Sequence, residues 1–211
     1  MTHYLIEFRF QGAAKGEMKR LIWEVNRIFH IRPRQRPVPH ITIVSNFFTR
    51  DESRLVRDFN DICDKTQLIK FNINSYGYFN SSKVVYINIE PSKEMVKFRE
   101  DFISRLKRYC KLSSTDIFSF LGIIKIIKKY SPHATIAMKL DNRRFQKIKD
   151  YVSRKEESSR EYIMARATLI KDRIILYEYD FLLRRLLNRA QAKSKQVYFE
   201  TVEKIRQDIR T

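Results

Sequence analysis

The feature of this chain that most constrains its fold is a five-residue pattern that occurs twice, as Pro-His-Ile-Thr-Ile at residues 39–43 and as Pro-His-Ala-Thr-Ile at residues 132–136. Each copy follows a basic stretch, and a short polar segment after it leads to a predicted helix start, at Asp51 and at Asp141. A chance pair of such matches in matching surroundings is expected in on the order of 1% of sequences or fewer. The chain is therefore predicted to contain two related halves.

The alternation of polar and apolar residues within each copy is typical of a half-buried β-strand. His40 and Thr42 then project from one face, as do His133 and Thr135, while their apolar neighbours point into a core. If a pseudo-two-fold axis relates the halves, the two strands lie side by side and four polar groups converge in one groove. In a single strand such residues would more often satisfy local hydrogen bonds, but the duplication favours a functional site.

Hydrophobic periodicity predicts the other elements. Strands are predicted at Tyr4 to Phe10, His40 to Phe48, Ile69 to Tyr78, Val84 to Ile89 and His133 to Met138, with a hairpin formed by Ile163 to Ile170 and Arg173 to Tyr179. Helices are predicted at Lys15 to Phe29, Asp51 to Lys65, Ser92 to Leu106, Asp141 to Ser153 and Phe181 to Arg210. This alternation predicts a folded protein that contains both β-strands and α-helices.

The net charge indicates a class of partner. The 211 residues include 43 Lys and Arg against 24 Asp and Glu, a formal net charge of +19. The excess positive charges repel one another in the folded protein unless a polyanion is usually nearby. Nucleic acid is therefore the favoured class of partner. A basic surface that binds nothing specific is the alternative interpretation.

Other functional classes have weaker support in the sequence. No apolar run is long enough to span a bilayer and no signal peptide is recognisable, so we expect a cytoplasmic protein without a membrane partner. Two His-Xaa-Thr pairs supply too few ligands for a zinc site, and Cys63 and Cys110 lack CxxC spacing. The patterns Gly-x-Ser-x-Gly, GxGxxG and GKS/T are absent. We therefore expect neither a metal nor a cofactor.

Two histidines in one groove suit in-line phosphoryl transfer. One group must take a proton from the attacking oxygen, and another must protonate the leaving oxygen on the opposite side of phosphorus. An ordinary imidazole pKa near 6.5 allows one ring to be neutral and the other charged near neutral pH. Thr hydroxyls beside them can donate hydrogen bonds to the non-bridging oxygens.

Residues near the motifs are predicted to bind substrate. Cations upstream of each motif are placed to draw a phosphate chain toward the groove; they are Arg32, Arg34, Arg36, Lys125, Lys128 and Lys129. Phe47 and Tyr130 flank the same region and are candidates to stack a terminal base, with Tyr130 ranked first. For each of these residues, a role in solvation or in the core is the alternative.

The paired motifs at His40 to Ile43 and His133 to Ile136 resemble those of the 2H phosphoesterase superfamily, and within it the 2′,5′ RNA ligase-like, or RNA 2′,3′-cyclic phosphodiesterase (LigT-like), family. The resemblance implies an α+β fold, bilobal and pseudo-two-fold, with a duplicated antiparallel sheet and helices outside. It implies a single domain at residues 1–180, with lobes at approximately 1–91 and 92–180. Residues 181–211 would form a C-terminal helical extension.

The resemblance also implies a substrate, an RNA end that carries a 2′,3′-cyclic phosphate, which is opened to a 2′-phosphate without metal. His40 would protonate the leaving 3′-oxygen and His133 would activate water, although these labels can be exchanged, and Thr42 and Thr135 would hold the phosphate. Reversible 2′,5′ ligation of RNA halves, such as tRNA fragments, would use the same histidines. A basic RNA-binding module without catalysis is the third hypothesis.

Overall fold

The computed structural model describes residues 2–32, 37–114, 116, 130–155 and 161–208. The strands are β1 (His3–Arg9), β2 (His40–Phe48), β3 (Ile69–Phe79), β4 (Val84–Glu90), β5 (His133–Ala137), β6 (Glu161–Met164), β7 (Arg166–Lys171), β8 (Ile174–Asp180) and β9 (Arg185–Asn188). The helices are α1 (Gly12–Ile28), α2 (Glu52–Lys65), α3 (Lys93–Leu106), α4 (Asn142–Val152), α5 (Arg189–Lys193) and α6 (Lys195–Asp208).

The strands form two antiparallel sheets, which confirms the predicted α+β class. The first sheet has the order β2-β1-β7-β8-β9, and the second has the order β5-β4-β3-β6. The two motif strands, β2 and β5, lie in different sheets and contact each other. They therefore meet across the junction of the sheets and are not hydrogen-bonded neighbours.

Side-chain caps fix where three of the helices begin. Asp51, Ser92 and Asp141 each accept a hydrogen bond from the backbone N–H three residues later, at 2.9, 3.2 and 2.8 Å respectively. Such a cap satisfies one of the donors that the first helical turn leaves unpaired. The predicted starts of α2, α3 and α4 are confirmed by these contacts.

The core confirms the predicted alternation in both motif strands. Ile41, Ile43, Ala134 and Ile136 are buried, whereas the His and Thr residues between them are half-buried. Since successive side chains of a strand point to opposite faces, the His and Thr side chains share the face that the core does not occupy.

The sheets do not divide the chain near residue 91, where the lobe boundary was expected. Strands β3 and β4 precede that residue but pair with β5 and β6, while β7 to β9 return to β1. The exchange occurs at Ala165, which separates β6 in one sheet from β7 in the other. The predicted single strand from Ile163 to Ile170 is thus two strands, because the chain crosses between sheets within it.

The prediction of one helix from Phe181 is wrong in its first part. Asp180 Oδ1 accepts hydrogen bonds from the N–H groups of Leu182 and Leu183, at 3.1 and 2.9 Å, and this turn leads into β9. Leu187 of β9 lies opposite Glu178 of β8 and is buried. A short apolar run fits a strand as well as a helix, so periodicity alone could not separate them.

A helix does follow as predicted. Helix α6 places Thr201 and Ile205 in buried positions.

The helices of the described part of the chain do not meet the requirements of a membrane span. None of them is both long enough and apolar enough to cross a membrane.

Candidate active site

Each motif histidine is the first residue of its strand. His40 begins β2 and His133 begins β5, and Thr42 and Thr135 follow on the same face of each strand. All four side chains are half-buried. The rings are near enough for His40 to lower the pKa of His133 through its charge. The two His-Xaa-Thr pairs thus lie on contacting strands at the junction of the two sheets.

The two rings are held in the same way. His40 Nδ1 lies 2.7 Å from the carbonyl oxygen of Val38, and His133 Nδ1 lies 3.2 Å from that of Ser131. Each carbonyl belongs to the residue two positions earlier, and a carbonyl can only accept, so Nδ1 carries the proton in both rings. The remaining nitrogen, Nε2, is then the atom that exchanges protons.

The His133 ring lies in an aromatic pocket that sequence reasoning missed. It is edge-on to Phe79, with centroids 5.1 Å apart, and 4.9 Å from the ring centroid of Tyr86. Burial is the main cause that lowers the pKa of His133 below 6.5, and the Ser131 carbonyl opposes the shift. The structure therefore favours the neutral ring at position 133.

His40 has a charged environment. Glu7 and Arg9 of β1 lie opposite Thr42 and His40 of β2, and the strand register shifts between Ile6 and Glu7. Glu7 is buried, and its Oε2 is 3.8 Å from His40 Nε2. A β-bulge changes the direction in which side chains point, and this register shift places the Glu7 carboxylate on the face that carries the motif.

Tyr130 supports the motif backbone. Its hydroxyl donates a 3.0 Å hydrogen bond to the carbonyl of Thr42, and the Arg99 guanidinium lies 4.7 Å from the centroid of its ring. Arg99 also donates to Asp116 at 2.8 Å, and Asp116 accepts from the Ser45 hydroxyl of β2 at 2.7 Å. These contacts give the half-buried Tyr130 a structural role, and its role in base stacking stays a prediction.

The other predicted substrate contacts have different outcomes. Phe47 is fully buried and stacks on Tyr4, with ring centroids 5.8 Å apart, so it cannot stack on a base. Arg32 is exposed. The predictions for Arg34, Arg36, Lys125, Lys128 and Lys129 lie outside the described residues.

The residues that sequence reasoning missed reach the site through strand pairing. Tyr86 of β4 lies opposite Thr135 of β5, just as Glu7 lies opposite Thr42. Pairing between distant strands is not readable from one sequence, so these side chains could not be placed beside the motifs. Across the described residues, no group of three or more His, Cys, Asp or Glu side chains is arranged to hold a metal ion.

Two antiparallel sheets that present a His-Xaa-Thr pair on each of two contacting strands define a 2H phosphoesterase. Comparison with family models agrees, because the model described as the 2′-5′ RNA ligase superfamily matches residues 13–173. The chain belongs to this superfamily. Membership supports an enzyme with a phosphoesterase or RNA ligase type of activity.

Solved structures show the same fold. LigT of E. coli, complexed with 3′-AMP, is similar with a TM-score of 0.55 and 15% identity, covering 88% of this chain and 92% of that chain. TT0787 of Thermus thermophilus is similar with a TM-score of 0.51 and 13% identity, covering 85% of this chain and 97% of that chain. A search of curated proteins finds no significant match.

Proposed function

We propose that this protein is a metal-independent RNA 2′,3′-cyclic phosphodiesterase that opens a terminal cyclic phosphate to a 2′-phosphate. The observation that carries the proposal is the duplicated site, in which two histidines with equivalent Nδ1 hydrogen bonds lie on contacting strands. Two such rings on either side of one phosphorus atom can supply both proton transfers of an in-line displacement.

In this mechanism, neutral His133 is the base. Its Nε2 takes a proton from water as the water oxygen bonds to phosphorus. The bond between phosphorus and the 3′-oxygen breaks, and protonated His40 gives its Nε2 proton to that oxygen. The product is a 2′-phosphate with a free 3′-hydroxyl. After the reaction, His133 is protonated and His40 is neutral. His133 must then lose one proton and His40 must gain one before the next turnover.

The threonines have a separate role in this proposal. Neither hydroxyl, of Thr42 or of Thr135, has a hydrogen-bond partner within the described residues, and both lie on the histidine face. They are free to donate to the non-bridging oxygens, where negative charge increases in the transition state. Donors fixed on strands need little reorganisation during the reaction.

An RNA substrate is supported by the charge and by the comparisons. A net charge of +19 attracts a phosphate chain. The matched family carries RNA ligation in its name, and E. coli LigT was solved with the nucleotide 3′-AMP. The nucleobase of a terminal nucleotide has aromatic side chains beside His133 on which to stack, since Phe79 and Tyr86 are both partly exposed.

Reversible 2′,5′ ligation is the second candidate, favoured by the name of the family. In that reaction, the 5′-hydroxyl of a second RNA replaces water, and the histidines keep their roles. The two reactions differ in the product formed when RNA with a free 5′-hydroxyl is added.

The test is an assay on an RNA oligonucleotide that ends in a 2′,3′-cyclic phosphate, with EDTA present. We expect the wild type to form the 2′-phosphate, and His40→Ala and His133→Ala each to lose on the order of a hundredfold or more in rate. His3→Ala is the matched control, because His3 is exposed at the other end of β1, opposite Phe48. If the wild type and all variants bind RNA but are equally inactive, the protein is an RNA-binding module.

A further inference from the structure

Glu7 is a buried carboxylate on the face of the first sheet that carries His40. Its Oε1 accepts a 2.7 Å hydrogen bond from Arg9 Nε, and its Oε2 lies 3.8 Å from His40 Nε2. The side chain of Glu7 is 5% exposed, while that of His40 is 32% exposed. A buried charge attracts its neighbours more strongly than an exposed one, because little water screens it.

We propose that Glu7 is a positioning residue whose buried carboxylate, 3.8 Å from Nε2, attracts the protonated ring of His40 and so assigns the acid role to His40 and the base role to His133. This inference rests on the proposed function. It adds a structural reason, on the His40 side, for an assignment of acid and base that the sequence left open.

The distance between Glu7 and His40 supports this role. At 3.8 Å, the carboxylate is too far from Nε2 for a hydrogen bond, but it is near enough to attract a positive ring. The Nε2 proton therefore stays available to the leaving oxygen of a substrate. Nδ1 is occupied by the Val38 carbonyl, so the ring keeps its orientation while Nε2 donates.

The two histidines differ in their surroundings. Among the described residues, His133 has no carboxylate within ion-pair distance and instead contacts the rings of Phe79 and Tyr86. An aromatic pocket favours the neutral imidazole, and a buried carboxylate favours the charged one. A pair of titratable groups in such opposite environments is the arrangement that separates a base from an acid.

Other polar and charged groups lie on the same sheet face as Glu7. Arg9 shares the carboxylate with His40, and strand pairing places Thr168 and Glu178 in one row with Glu7 across the sheet. The charges of Arg9 and Arg166 oppose the burial that raises the pKa of Glu178. The group formed by Arg9, Glu7 and protonated His40 has a net charge of about +1 by formal count, which suits an anionic substrate.

The experiment compares two substrates that differ in their need for an acid. An RNA 2′,3′-cyclic phosphate has a basic 3′-oxygen as its leaving group, whereas a p-nitrophenyl phosphodiester of a nucleotide has a weakly basic one. Loss of a general acid slows the first reaction much more than the second. Loss of a base slows both, because water must be activated in either case.

We expect Glu7→Gln to lower kcat for the cyclic phosphate on the order of tenfold or more, and to change the p-nitrophenyl ester reaction less than threefold. Glu7→Asp keeps the charge and should recover part of the loss. His40→Ala should also slow the cyclic phosphate reaction more than the p-nitrophenyl ester reaction, and by a larger factor than Glu7→Gln. His133→Ala should slow both reactions. Glu52→Gln is the control, since it removes a carboxylate on α2 that pairs with Lys171 and Tyr4 and has no contact with His40 among the described residues.

Several outcomes would overturn the inference. Equal losses on both substrates in a folded Glu7→Gln variant would make Glu7 a structural residue. Selectivity in His133→Ala and none in His40→Ala would exchange the acid and base. By contrast, a wild type that cleaves neither substrate in EDTA would overturn the proposed function itself, so the two failures are distinguishable. Thermal melting of each variant confirms that the comparison is made on folded protein.

Discussion

The ring of Tyr86 lies directly against the backbone of Gly77, its partner on the neighbouring strand. A Cβ atom at residue 77 would overlap with Tyr86 Cε2 and lie 2.7 Å from its hydroxyl oxygen. Tyr86 also contacts both Phe79 and His133, with ring centroids 4.4 and 4.9 Å away. The absence of a side chain at Gly77 thus determines where the aromatic pocket of His133 sits.

Gly77→Ala should therefore impair catalysis from outside the motif. The new methyl group must push Tyr86 toward His133 or Phe79, at a cost of about 1–3 kcal/mol in stability. We expect kcat on the cyclic phosphate to fall on the order of tenfold to a hundredfold, because small displacements of a catalytic ring are costly.

The matched control is Gly16→Ala on α1, where a new Cβ meets nothing within 4 Å. This variant should keep full activity and gain about 0.5–1 kcal/mol in stability, since Ala favours a helix. Gly77→Ala with wild-type kinetics would show that the Tyr86 position is unimportant for the reaction.

The pH dependence should show the lowered pKa of His133. A base must be unprotonated, so activity falls as the pH falls through the pKa of His133. Because burial lowers that pKa, the acidic limb of the profile of kcat/KM against pH should lie below 6.5. Phe79→Ala lets water reach the ring, and the limb should move to higher pH.

Phe79→Leu is the control for this shift, because it keeps apolar cover over His133 and should leave the limb in place. The measurement is kcat/KM across the pH range for both variants and the wild type. A limb at the same pH in Phe79→Ala would mean that burial by Phe79 does not set the protonation of the base.

The threonines should contribute to rate and little to stability. Thr42→Val and Thr135→Val each keep the shape of the side chain and remove the hydroxyl that we expect to contact the phosphate. We expect kcat to fall by about 10²–10³ for each, the usual effect of losing one transition-state donor. Stability should change by less than about 1 kcal/mol in chemical unfolding, since neither hydroxyl bonds to the described part of the protein. Unchanged kcat in both variants would contradict the phosphate role.

The motif strands were predictable because one short pattern carries both periodicity and chemistry. His40 to Phe48 was predicted with the observed bounds of β2, and the caps at Asp51, Ser92 and Asp141 were readable as helix starts. These signals are local, since each depends on residues a few positions apart.

The missed features depend on contacts between distant parts of the chain. Glu7 reaches the site because β1 pairs with β2 through a bulge, and Tyr86 reaches it because β4 pairs with β5. The crossing at Ala165 and the strand β9 likewise depend on pairing, of β7 with β1 and of β9 with β8. Sequence periodicity carries no information about such pairing, so the histidines were predictable and their surroundings were not.

A buried ion network holds the C-terminal helix against the first sheet. Arg166 is 1% exposed, and its Nε donates to Asp180 at 2.9 Å while Nη1 lies 3.3 Å from Glu178. Its Nη2 donates to the carbonyl of Val197 at 2.9 Å and to the Thr201 hydroxyl, both on α6. One guanidinium thus joins two strands to the helix that follows them.

Arg166→Ala should be among the most destabilising single substitutions in the chain. Removing one partner leaves two carboxylates buried without their cation, which typically costs about 3–5 kcal/mol. Arg185→Ala is the matched control, because Arg185 of β9 forms a 2.7 Å pair with Glu200 of the same helix, α6, but both of these side chains are exposed. An exposed pair is worth about 0–1 kcal/mol, so this variant should unfold almost like the wild type. Chemical unfolding measures both losses, and equal losses would show that the buried network does not anchor α6.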